Sequence, residues 1–155
     1  MNILFVCTGN CSRSPMAEAY FRHLCKQNHL DQDVTCLSAG IAVKEEASSP
    51  EEAQELMKSL GLSLENHVPK QISEDLVSSS DNIIVMDNSH LKALKKQFPD
   101  AVKEKGKVRT LLSFLDSDAE VEDPHRGDIE TFQQCFLSMM PALANLTDRI
   151  IRSLR

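Results

Sequence analysis

The sequence predicts an α/β protein built on a parallel sheet, and three observations carry that prediction. Two short runs, Ile3-Leu4-Phe5-Val6 and Asn82-Ile83-Ile84-Val85-Met86, are almost wholly apolar, as central strands covered on both faces must be. Stretches with helical periodicity lie between the strand-like runs, so strands and helices alternate along the chain. The first strand also feeds directly into Cys7-Thr8-Gly9-Asn10-Cys11-Ser12-Arg13-Ser14, and a helix-like stretch leads away from it. That octet suits a loop whose N–H groups turn inward around an anion, with the helix N-terminus beneath.

Taken in order, residues 2–6 are a strand, and Pro15 falls in the first turn of the following helix, where its missing N–H costs nothing. Met16 onward reads as an amphipathic helix ending near Asn28. Val34 to Leu37 is a second strand, closed by Ser38-Ala39-Gly40. Residues 41–50 form a polar loop, and Ser48-Ser49-Pro50 starts a helix whose Glu51 and Glu52 suit the N-terminal dipole. It is expected to stop near Leu60, with Gly61 at C′. Ser73 should cap a short helix through Leu76, and Ser89 a helix running to about Phe98, where Pro99-Asp100 breaks it. Val108 to Thr110 is a fourth strand and Leu111 to Leu115 a helical turn. Asp116 to Gly127 is a long acidic loop, and Asp128 caps a last helix to about Leu154, with a kink expected at Pro141.

At 155 residues the chain is long enough to bury a real core, and residues 1–155 are expected to form a single domain. A net charge of −6 with no offsetting basic stripe argues against a nucleic-acid partner. No apolar run approaches the length of a membrane span, so no membrane partner is expected. The N-terminus shows neither a basic leader nor a cleavage site. Five cysteines at irregular spacing read as free thiols in a reducing compartment, and the expected location is cytoplasmic. No metal-ligand spacing appears, so no metal or other cofactor is expected.

A cysteine following a strand is ordinarily core, and Cys25, Cys36 and Cys135 are read that way. Cys7 differs, because an arginine, a glycine and a helix start all arrive within six residues. Were the loop to close on a phosphate, the amides of Thr8, Gly9, Asn10, Cys11 and Ser12 would hold it from below. Arg13 would grip two of its oxygens. The Cys7 thiolate would then attack phosphorus in line with the leaving group and form a phosphocysteine, splitting hydrolysis into two steps. A helix-initiating loop with no ligand is the alternative reading.

The octet followed by Pro15 resembles the phosphate loop of the low-molecular-weight protein tyrosine phosphatases. Ser38-Ala39-Gly40, Asn66-His67-Val68, Ile83 to Asp87 and Glu122-Asp123-Pro124 fall in that family's order and approximate spacing, so the resemblance covers the whole chain. It implies a four-stranded parallel sheet with helices on both faces. It further implies that Asn10, Ser14, Ser38 and His67 form a network holding the loop open. Asp123 becomes the expected general acid, because a phenol leaving group, of pKa ~10, is costly to expel unprotonated. The neighbouring Asp116, Asp118, Glu120 and Glu122 read as a solvated acidic loop.

Departures bear on the substrate. Ser12 stands where the family usually has a second loop cysteine, and Cys11 lies one place earlier, at a position that contacts substrate in the family. His125 and Arg126 follow the Asp-Pro pair where aromatics are usual, so the expected substrate wall is Cys11, His125 and Arg126. No aromatic lies between Ile41 and Ser49, and no tyrosine stands near the acid. Thr8 and Gly127 are similar to the bacterial branch, which includes protein arginine phosphatases. The expected activity is hydrolysis of phosphotyrosine on a phosphorylated protein or peptide, with phosphoarginine as the alternative. A thiol-dependent arsenate reductase would need a resolving cysteine pair near the third strand, and residues 70–100 hold no cysteine. A non-catalytic phosphoprotein-binding module would need neither nucleophile nor acid.

Overall fold

The computed structural model describes residues 1–155. Its elements are β1 (Asn2–Cys7), α1 (Arg13–Gln27), β2 (Thr35–Gly40), α2 (Glu51–Ser59), α3 (Glu74–Ser79), β3 (Asn82–Val85), α4 (Asn88–Gln97), β4 (Val108–Thr110), a 3-10 turn at Leu111–Leu115 and α5 (Ile129–Ser153). All four strands are parallel, in the order β2-β1-β3-β4. The α/β class and the four-stranded parallel sheet expected from the sequence are therefore present.

Successive side chains of a strand point to opposite faces, and β1 shows why its sequence had to be apolar throughout. Ile3, Phe5 and Cys7 enter the larger core, shared with α1, α2 and α5. Leu4 and Val6 enter the smaller one, with Val77 of α3 and Leu94 of α4. Strand β3 alternates likewise, Ile84 into the first core and Ile83 and Val85 into the second. Helices thus cover both faces. Phe5 and Phe21 are fully buried and meet edge to face at 5.5 Å, joining β1 to α1. Truncating either to Ala would cost about 3–5 kcal/mol. On the outer side of the same core, Tyr20 of α1 meets Phe136 of α5 edge-on at 5.3 Å.

Local chemistry sets the helix ends. Ser73 accepts the Leu76 amide and Asp128 the Thr131 amide, as the sequence predicts. Gly61 has φ +75°, the left-handed turn that ends α2. The cap of α4 is Asp87, not Ser89: Asp87, two residues beyond β3, is in an extended conformation and accepts the amides of Ser89 and His90, while Ser89 occupies the first turn. Ser38-Ala39-Gly40 does not follow β2 but forms its end, with Gly40 in register with Cys7. Helix α5 continues through Pro141. That proline is exposed, and so is Leu137, whose carbonyl it leaves without a partner.

The strand order positions the site. The chain leaves β1 for β2 on one side and later passes to β3 on the other, so the crevice beyond the C-terminal ends of β1 and β3 is the topological switch point, where open α/β sheets bind ligands. The octet follows β1 into this crevice, and Asp87 follows β3.

Candidate active site

Residues 8–12 form an open loop whose outward carbonyls are tied down. The Cys7 and Thr8 carbonyls accept the amides of Ile41 and Ala42 at 3.0 and 2.8 Å, and the Asn10 carbonyl accepts His67 Nε2 at 2.7 Å. The amides of Thr8 to Ser12 have no acceptor within the protein. Ser12, at the N-cap of α1, makes no side-chain cap, whereas α3, α4 and α5 are all capped. Uncapped helical amides joined to a ring of unspent loop amides make an anion site. Close packing holds the loop from behind: a Cβ on Gly40 would lie 2.7 Å from the Thr8 carbonyl and 3.0 Å from the Asn10 amide.

Asn10 is the peg of the loop. It is fully buried and takes the left-handed conformation at φ 54°, one of the few non-glycine residue types suited to it. Its Nδ2 donates to Ser14 Oγ and Ser38 Oγ, both at 2.9 Å, and its Oδ1 accepts the Lys70 amide at 3.0 Å. Since Ser14 Oγ accepts from Asn10, its own proton is available to Cys7 Sγ, 2.9 Å away. A hydroxyl proton aimed at sulfur stabilises a thiolate. Cys7 is 3% exposed and lies at the loop's floor.

Arg13, 4% exposed, closes the loop. Nη1 donates to Asp87 Oδ2 at 3.0 Å and to the Val121 carbonyl at 2.9 Å, while Nη2 lies 3.8 Å from Asp123 Oδ2. Burial pushes the Asp87 carboxyl up, but hydrogen bonds from Ser89 and Arg13 outweigh it and hold it below the ordinary carboxylate range. The other edge of the guanidinium has no such anchor. Asp123 is about half exposed, and its Oδ1 accepts the His125 amide at 3.0 Å in a short turn.

An open pocket of about 330 Å³ lies above the loop. Cys7, Thr8, Gly9, Cys11, Ser12 and Arg13 form its floor, and Asp123 and His125 stand on one wall. Asn10, Ser14, Ser38 and His67 sit behind the loop rather than in the pocket. Arg126 is exposed at φ 62° and is not part of the lining. The rest of the lining, absent from the sequence reading, is Ala42, Lys44, Ala47, Ser48 and Pro50. Asp87 and His90 were also missed as site residues. A short polar residue closing a β-strand before a helix was the only signal for Asp87, and His90 had none.

Of the other thiols, those of Cys25, Cys36 and Cys135 are buried in the larger core. Burial pushes those of Cys25 and Cys135 up to about 12 and that of Cys36 up to about 11, which suits inert core residues. Burial, and then the neighbouring Cys7, raises the Cys11 thiol as well, and Cys11 Sγ donates to the Gly9 carbonyl at 3.3 Å.

A parallel α/β sheet with free amides, a buried cysteine and an anchored arginine at its switch point defines a cysteine-dependent phosphatase. The chain belongs to the low molecular weight phosphotyrosine protein phosphatase family, whose sequence profile matches residues 2–155. It is 34% identical over 135 residues to the protein-arginine-phosphatase of Bacillus subtilis, covering 86% of each chain. It is 36% identical over 128 residues to the low molecular weight protein-tyrosine-phosphatase YfkJ of the same organism, covering 81% of each. Among solved structures, the YwlE arginine phosphatase carrying a phosphorylated active-site serine superposes with a TM-score of 0.88 at 31% identity, over 97% of this chain and 95% of that one. No helix is long and apolar enough to cross a membrane.

Proposed function

We propose that this phosphatase hydrolyses phosphotyrosine on protein substrates, with Cys7 as nucleophile, Arg13 as phosphate clamp and Asp123 as general acid, and that it acts in the cytoplasm as a single domain. The observation that carries the reading is the Ser14 hydroxyl proton directed at Cys7 Sγ beneath a ring of unspent amides. A phosphoryl dianion seated on the amides of Thr8 to Arg13 presents phosphorus to the thiolate below and its leaving group to the pocket mouth. The amides and the free edge of Arg13 match charge spread over the equatorial oxygens during transfer. Asp123 protonates the departing phenolate and then, as carboxylate, takes a proton from the water that attacks the phosphocysteine. Asn10, Ser38 and His67 keep the loop open throughout.

Phosphoarginine is the second reading, and the composition of the wall favours it. Ala42, Ala47 and Pro50 are apolar lining residues and no Phe, Tyr or Trp lines the pocket, so a phenol ring finds no phenyl or indole partner there. The arginine phosphatase among the relatives supports the same possibility.

Two experiments test the reading. Cys7→Ser should reduce turnover at least a thousandfold while phosphate binding persists, because the alcohol is a poor nucleophile on an unchanged backbone cradle. Retention of a tenth of wild-type turnover would exclude the covalent route. A panel of phosphotyrosyl, phosphoarginyl and phosphoseryl peptides, compared by kcat/KM, assigns the substrate. A preference for the phosphoarginyl peptide would replace the phosphotyrosine reading.

A further inference from the structure

His90 is 2% exposed beneath the first turn of α4, and its ring nitrogens face different partners. The Asp87 amide lies 3.2 Å from Nδ1; an amide can only donate, so Nδ1 carries no proton. Asp87 Oδ1 stands 3.4 Å from the same nitrogen, but it already accepts the Ser89 and His90 amides and the Ser89 hydroxyl. Burial, with Arg13 acting in the same direction against the Asp87 carboxylate, holds the ring's pKa down to about 4, so it is neutral near pH 7. A neutral imidazole with a bare Nδ1 is protonated at Nε2, and Nε2 lies 2.9 Å from Thr8 Oγ1. The Thr8 hydroxyl is therefore the acceptor in that bond and keeps its own proton. No protein group within reach accepts it.

Thr8 follows the nucleophile and lines the pocket, but unlike the buried Cys7 it is exposed. Its free hydroxyl proton therefore belongs to an exposed residue of the pocket lining, next in sequence to the nucleophile. We propose that the Thr8 hydroxyl donates a hydrogen bond to the leaving-group atom of the bound phosphate ester, and that His90 is the positioning residue that fixes this polarity. The bridging oxygen gains negative charge as its bond to phosphorus breaks, so a donor aimed there acts more strongly in the transition state than in the ground state. No proton is transferred by Thr8, and Asp123 remains the acid. The inference rests on the phosphate-ester reading above.

Long-range proton–nitrogen spectra of the full chain, with the His90 resonance assigned from His90→Asn, give the tautomer directly. A neutral ring protonated at Nε2 is expected at pH 7; an Nδ1-protonated ring or an imidazolium would overturn the proposal. Thr8→Val, close in shape but without the hydroxyl, should lose about tenfold in kcat/KM on phenyl phosphate and less than about threefold on p-nitrophenyl phosphate, whose leaving group needs little help. Thr8→Ser should restore most of the loss. Equal losses on both esters, or none, would refute the role of Thr8. His90→Asn should add little leaving-group sensitivity in the Thr8→Val background; multiplying losses would make His90 merely structural. Should His90→Asn fail to fold, the tautomer, assigned instead from Thr8→Val shifts, and the Thr8 variants still decide. A wild-type chain that turned over neither ester would sink the phosphatase reading instead, and the tautomer would still decide the polarity of the Thr8 bond.

Discussion

Asp87 Oδ2 lies 3.0 Å from Arg13 Nη1, joining the end of β3 to the start of α1 across 74 residues of sequence. The same carboxylate caps α4, so one side chain sets both a helix start and the angle of the phosphate clamp. Asp87→Asn separates the two roles, because Asn caps as well as Asp. The expected result is a loss of about tenfold in kcat/KM, from weakened orientation of Arg13, with little change in Tm. Kinetics on an aryl phosphate beside a thermal melt check it; a large drop in Tm with unchanged kinetics would assign Asp87 to the helix alone.

Asp123 touches Arg13 only at 3.8 Å and is otherwise held by its own turn, which leaves it free to meet a leaving atom. Asp123→Asn should lower kcat by about 10²–10⁴ on phenyl phosphate and by far less on p-nitrophenyl phosphate. The measurement is a series of aryl phosphates of graded leaving-group pKa. A uniform loss along the series would remove Asp123 from the acid role.

His90 also makes stability depend on pH. Folded, it titrates near 4; unfolded, near its ordinary 6.5. Between those values the unfolded chain takes up a proton that the folded chain refuses, so stability present above pH 6.5 is lost as pH falls to about 4, and the loss levels off below. The shift corresponds to about 3 kcal/mol. Urea unfolding of the wild type and His90→Asn at pH 7, 5.5 and 4 should show the gap between them changing by that order. A gap independent of pH would mean that His90 titrates normally.

Oxidation should be poorly reversible. Hydrogen peroxide converts the Cys7 thiolate to a sulfenate with loss of the second peroxide oxygen as water, and only prompt capture by a nearby thiolate keeps further peroxide from taking it to the irreversible sulfinic acid. Cys11 is in the same pocket, but its thiol is raised by burial and by Cys7 and is turned to the Gly9 carbonyl, so it resolves slowly. Dithiothreitol should restore only a minor part of the activity, with Cys7 found as sulfinic acid by mass spectrometry. Full recovery in the wild type that disappears in Cys11→Ser would show that Cys11 protects the nucleophile.

Sequence pattern was most informative where a feature is local. β1 and β3 announced themselves as double-faced strands, and the floor of the pocket was legible because Cys7 to Arg13 are contiguous. Ser38 and His67 came from resemblance alone, since each reaches the loop across a separation that periodicity cannot bridge. Asp87 and His90 meet Arg13 and Thr8 only because β3 pairs with β1, a fact of topology. The cap of α4 went to the wrong neighbour because Asp87 and Ser89 are both good caps, and the end of the strand decided between them. The Lys44 wall lay in a polar loop whose course over the pocket follows from the ties of Ile41 and Ala42 to the phosphate loop.

The edge-on contact of Tyr20 with Phe136 has a use at the bench. With one tyrosine and no tryptophan in the chain, near-ultraviolet fluorescence and circular dichroism come chiefly from that ring. Its signal reports whether α5 is docked on α1, on the flank of the larger core. Unfolding can thus be followed without a dye or an added fluorophore. The backbone signal at shorter wavelengths follows all the helices at once, so a mismatch between the two transitions would reveal the last helix detaching before the rest of the fold.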